Sequence, residues 1–114
     1  MGYLKKDHFK QVLSNKIDNN KQIFHNFERL SSKACLFSSG SNLAIIYMNT
    51  VVFLKIDNTI KLNSNGWQGS TTKKWINKGF DIIGKNAYIN QKDFKWYLNM
   101  DDKKQDFKDN MIIE

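Results

Sequence analysis

The 114-residue chain has no proline, one cysteine, one arginine and two histidines. Without proline, its turns must be built by other residues. Fourteen asparagines supply that need, since asparagine tolerates the left-handed backbone of tight turns. The lone Cys35 cannot close an internal disulfide, which points to a reducing compartment. His8 and His25 stand seventeen residues apart, and with one cysteine they make no zinc-ligand cluster, so no metal site and no cofactor are expected. No apolar run approaches the ~18–20 residues of a membrane-spanning helix. The longest, Leu43 to Met48 and Val51 to Leu54, are of strand length. The opening Met1-Gly2-Tyr3-Leu4-Lys5-Lys6 lacks the apolar stretch of a secretory signal. The expectation is a cytoplasmic protein that does not engage a membrane.

What is present is ordinary for a globular domain: 40% hydrophobic, 13% aromatic and 25% charged residues in 13.4 kDa. A chain of this length can bury roughly two-thirds of its unfolded surface and needs no metal or disulfide to fold. The charge is less ordinary, at +7 with a pI near 9.5. Residues 100–114 hold five acids against three lysines, so the residues before them are more basic than the whole chain. Such a balance suits contact with a polyanion. Apart from Arg29 every basic residue is lysine, a point charge without the planar fork that reads base edges. Phosphate contact therefore fits better than sequence-specific recognition. This reading requires the surplus lysines to gather on one surface.

Periodicity divides the chain in two. Phe9, Val12, Leu13 and Ile17 lie at helical spacing and predict a helix over residues 5–17. Ile23, Phe24, Phe27 and Leu30 predict a second, separated by Asp18-Asn19-Asn20, although the stripe nearly keeps phase and one long helix would also fit. After the Ser38–Asn42 loop the pattern changes to strands at Leu43–Met48, Val51–Ile56 and Thr59–Asn63. A helix begins at Ser70 or Thr71 and stops at Gly79, with Trp75 and Ile76 facing the core. Ala87–Ile89 and Phe94–Leu98 form a last hairpin, whose alternation buries Phe94, Trp96 and Leu98. The expected fold class is α+β. A single domain spans 1–99, with helices in 1–35 and a small, mainly antiparallel sheet over 43–98 carrying an inserted helix at 70–79. An acidic tail over 100–114 is expected to be partly disordered.

Three segments, Leu62–Trp67, Ser70–Asn77 and Tyr88–Leu98, form a pattern of a Gly-Trp loop, a Thr-Thr-x-x-x-Ile-Asn helix start and an aromatic hairpin. The pattern resembles small uncharacterised proteins of bacteriophages and mobile elements. The resemblance covers a little over half the chain, and Trp75 stands where such proteins more often carry His or Arg. It implies phage origin and a host-cell cytoplasmic setting, without an established activity. Small phage proteins often inhibit host defence, anti-CRISPR proteins among them, by binding nucleoprotein complexes.

Chemistry-bearing groups are sparse. Cys35 lies between Ala34 and Leu36 and reads as a buried, inert thiol rather than a nucleophile. The six acids before residue 100 are scattered, so no catalytic residue is assigned and no enzyme is expected. Gly69-Ser70-Thr71-Thr72-Lys73-Lys74 has the hydroxyls and lysines of an anion-binding helix start but not the order of a P-loop, and a helix cap followed by a solvated basic turn is the favoured explanation. The candidate nucleic-acid or partner contacts are Lys73, Lys74 and Lys78 on the helix, Lys92, Lys95 and Tyr97 on the hairpin, and Trp67 in its glycine-flanked loop. Trp67 is read as a plug over the sheet, with a protruding anchor as the alternative. The expected function is non-enzymatic binding to nucleic acid or to a host nucleoprotein effector complex, in the manner of an anti-defence inhibitor. The alternative is an interaction module, dimeric through its N-terminal helices.

Overall fold

A computed structural model describes residues 3–17 and 24–113. In chain order the elements are α1 (Lys6–Ser14), β1 (Asn26–Ser31), β2 (Ala34–Ser39), β3 (Asn42–Tyr47), β4 (Thr50–Ile56), β5 (Thr59–Leu62), α2 (Ser70–Ile82), β6 (Ala87–Lys92), β7 (Lys95–Met100), β8 (Lys103–Asp106) and β9 (Met111–Ile113). Strands β1 to β5 follow one another as antiparallel hairpins, and β9 returns beside β5 to complete a six-stranded sheet. The remaining three, β6-β7-β8, form a second antiparallel sheet.

The central strands of the larger sheet, β2 to β4, are buried on both faces. Along β2, Ala34 and Leu36 enter one apolar cluster while Cys35 and Phe37 enter the other, and β3 alternates likewise. This is why these strands read as nearly continuous apolar runs. One face is covered by α1, through Phe9, Val12 and Leu13. The other is covered by α2 and by the inner face of the small sheet, through Trp75, Ile76, Phe80, Ile89, Trp96 and Leu98. A bulge adjusts the fit. Ile45 pairs with Phe53 and Ile46 with Val51, so Val52 is the extra residue and both Val52 and Phe53 enter the α2 side.

This arrangement corrects the expected α+β class. Nine strands and two helices among the described residues make a chiefly antiparallel β protein. The expected second helix is wrong where it is described, because residues 26–31 are a strand. Phe27 pairs with Phe37 across β1 and β2, their rings edge-to-face at 5.2 Å. Phe27 and Leu30 fit a helical stripe, but three residues apart on a strand they face opposite clusters, and Leu30 is the extra residue of a bulge between Arg29 and Ser31. The residues proposed to separate the helices, 18–20, lie outside the described residues, as does Ile23. Strand β2 has no local sequence signal, because its turn, Ser32-Lys33, carries no glycine or asparagine.

Two further corrections matter for the site. Helix α2 does not stop at Gly79 but runs to Ile82. It ends at Gly84 (φ +70°), with the Gly84 amide donating to the Asp81 carbonyl at 3.1 Å and that of Lys85 to Phe80 at 3.0 Å, a Schellman closure. The acidic segment is not a loose tail. Asp101 and Asp102 occupy a two-residue turn at φ 53° and 63°, β8 pairs with β7, and Phe107 and Ile113 are buried in the core. Carboxylates that looked like a solvated run are turn residues, since aspartate adopts this conformation at low cost.

Helix α2 is fastened to the small sheet by Asn77. Its Nδ2 donates to the Ile89 carbonyl at 3.1 Å, and its Oδ1 accepts from the Ile89 amide at 2.6 Å. The side-chain amide thus does for the free edge of β6 what a neighbouring strand would do.

Candidate nucleic-acid interface

Register places one set of side chains on the solvent face of β6-β7-β8. Ala87, Ile89, Trp96 and Leu98 point inward, so their neighbours Tyr88, Asn90 and Lys92 on β6 and Lys95, Tyr97 and Asn99 on β7 point outward. Strand β8 adds Asp106, opposite Tyr97, and Lys104, opposite Asn99. The Lys104 Nζ stands 4.2 Å from the Tyr97 ring centre and the Lys95 Nζ 5.6 Å from it. Lys95 also pairs with Asp106 at 3.1 Å, and that carboxylate raises the lysine's pKa. The pair is solvent-exposed and screened, so a phosphate can displace it at little cost. Asn99 donates to Asn90 across the strands at 2.6 Å and keeps the middle of the face flat and polar.

Beside this face lies a groove of about 680 Å³, lined among others by Lys74, Lys78 and Asp81 of α2 and by Lys85, Asn86 and Tyr88. Tyr88 borders both the groove and the outer sheet face, so the two surfaces are continuous. The structure therefore brings Lys74 and Lys78 together with Tyr88, and Lys92 and Lys95 together with Tyr97. Lys73 is half-buried and does not line the groove. Lys85 and Lys104 went unnoticed in the sequence. The first reaches the groove through the Schellman turn and the second through the pairing of β8. Not all the lysines gather here: Lys6 and Lys10 ride on α1, beyond the opposite face of the large sheet.

Trp67 is elsewhere, and it is no plug. It is 75% exposed, at the rim of a separate cleft of about 590 Å³ lined by Tyr47, Met48, Thr50 and the start of α2. Its loop is held from the acidic segment. The Asp109 carboxylate accepts from the Ser64 amide and hydroxyl, each at 2.7 Å, and from the Gly66 amide at 3.0 Å. Gly66 sits at φ +80°, which leaves its amide free to turn toward that carboxylate. Phe94 also departs from expectation. It belongs to the β6–β7 turn rather than to the buried face.

The two groups most often recruited for chemistry are accounted for by packing. The His8 Nε2–H donates to the Met48 carbonyl at 3.0 Å and ties α1 to the β3–β4 turn. Cys35 is fully buried, and burial pushes its thiol from the ordinary 9.0 up to about 12, only partly offset by the Arg29 charge and the Ile46 backbone. The unfolded chain thus loses this proton at a lower pH than the folded one. The linked stability is intact below pH 9.0 and falls as pH rises toward about 12. The loss is at most about 1.4 kcal/mol per pH unit. Denaturant titrations across that window are expected to show the unaltered protein losing stability with pH faster than Cys35→Ala. Parallel pH profiles for the two proteins would refute the assignment.

Fold and surface together define a small, two-sheet antiparallel protein with a lysine- and tyrosine-bearing outer face and no helix among the described residues long and apolar enough to cross a membrane. The family model described as the Kyanoviridae Gp96 protein matches residues 9–114, and the chain belongs to that family of phage proteins. No curated protein and no solved structure matches it.

Proposed function

We propose that this phage-family protein is a non-enzymatic binder of single-stranded nucleic acid, free or held within a host nucleoprotein. The observation that carries the reading is the continuity of two surfaces. The outer face of β6-β7-β8 displays Tyr88 and Tyr97 among Lys92, Lys95 and Lys104, and Tyr88 leads into the groove bearing Lys74, Lys78 and Lys85. Aromatic rings on an open sheet stack on unpaired bases, and nearby ammonium groups follow the phosphates. An inhibitor of a host defence complex would use the same surface by covering phosphates that the complex must hold, and membership of a phage family supports that setting. A binder is favoured over an enzyme because the one thiol is buried and the groove's lining includes a single carboxylate, Asp81. The dimer alternative has less support, since α1 has already buried its apolar stripe against the large sheet.

The test is fluorescence anisotropy with labelled single-stranded RNA, single-stranded DNA and duplex over a salt series. Binding of single strands should weaken linearly on a log–log plot of affinity against salt. Lys74→Ala, Lys78→Ala, Lys85→Ala and Lys104→Ala should each reduce the slope by up to about 0.7. No retention of any oligonucleotide at about 50 mM salt would remove the reading.

A further inference from the structure

The turn between β6 and β7 departs from good local design in three ways. Asp93 and Phe94 are its central residues, at φ 54° and 65°. A two-residue hairpin of this twist favours Asp-Gly, and a bulky residue at a positive φ is strained by its own Cβ. The Phe94 ring is 93% exposed, more than any other large apolar side chain among the described residues. Lys92 and Lys95 stand directly opposite each other, a like-charge pair that weakens the hairpin. Glycine at 94 would relieve the first two faults at once. Strain and exposure concentrated at one protruding point mark a position kept for contact rather than for folding.

We infer that Phe94 is a stacking wedge for an unpaired nucleobase. This rests on the nucleic-acid reading above and assigns it a base-contacting residue at the end of the same sheet. Phe94 lies in the turn immediately before β7, at the tip of the sheet whose outer face carries Tyr88 and Tyr97. The shape of the tip matches a single base better than a lipid surface. Its flanking residues, Gln91, Lys92 and Lys95, offer no second apolar side chain to enter a bilayer. Stacking requires only a ring, while Lys104 and the groove lysines serve the phosphates.

The experiment compares the unaltered protein with Phe94→Gly and Phe94→Tyr. The probe is a fluorescent single-stranded DNA of about fifteen nucleotides, in mixed sequence and in a version carrying 2-aminopurine. Phe94→Gly should raise the melting temperature by several degrees and weaken binding about tenfold with the salt slope unchanged, while Phe94→Tyr keeps the affinity. The 2-aminopurine emission should change on binding the unaltered protein and much less on binding Phe94→Gly. If Phe94→Gly binds as tightly as the unaltered protein, the wedge is refuted and the nucleic-acid reading stands. If the unaltered protein binds no oligonucleotide, both fall. If phosphatidylserine vesicles sediment the unaltered protein but not Phe94→Gly, with oligonucleotide affinity equal in the two, the tip is a membrane contact and the inference is overturned.

Discussion

Gly79→Ala is expected to destabilise the protein by about 2 kcal/mol or more, against the gain of about 1 kcal/mol that helix propensity alone would give. Gly79 is buried in the body of α2, and a Cβ there would lie 2.5 Å from two ring carbons of Phe53. Phe53 has no room to retreat. It is fully buried on β4 and packs edge-to-face on Phe80 at 5.3 Å. The glycine is therefore a packing residue, and its missing side chain lets the helix lie directly on the ring. Denaturant unfolding of Gly79→Ala, Phe53→Leu and the double variant should show the double losing clearly less than the two singles combined. Simple additivity, or a Gly79→Ala protein as stable as the parent, would rule out the contact as the cause.

Asp109→Ala should cost about 3 kcal/mol, much more than its position in an acidic run suggests. The carboxylate satisfies the Ser64 amide and hydroxyl and the Gly66 amide, and Ser64 is 1% exposed, so its removal takes one charged acceptor from three donors at once. Asp109→Asn retains one acceptor oxygen and should lose about 1 kcal/mol. The same variants should loosen the Gly-Trp loop. Hydrogen exchange at the Ser64 and Gly66 amides should quicken in Asp109→Ala. Equal stability of the alanine and asparagine variants would show that the hydrogen bonds are not the source of the effect.

These two residues also show where sequence reading stops. Strands β3, β4 and β5 were legible because β-branched and aromatic runs met asparagine-marked turns, and the start of α2 was legible because Gly69 and hydroxyl residues precede Trp75 and Ile76. Gly79 reads as a helix stop because its local signal is the same whether a chain bends there or a ring lies against it. Only the fold brings Phe53 to it. The acidic segment was obscure because turn aspartates and solvated aspartates look alike, while only Phe107 and Ile113 mark its docking. At the candidate interface, Lys74 and Lys78 share a helix and were visible together. Lys85 and Lys104 depend on a helix closure and a strand pairing that no local pattern declares. Phe94 reads as core because the alternation of β7 continues in the sequence one residue beyond the start of the strand.

The Asn77 amide at Ile89 carries a consequence for crowded conditions. Exposed strand borders are where one copy of a protein can recruit another by sharing backbone, a route to self-templated growth. Here the docking position on β6 is already taken from within the same chain. A second copy pairing its backbone at Ile89 would first have to pull a helix away from it, so the middle of this border is closed to strand addition.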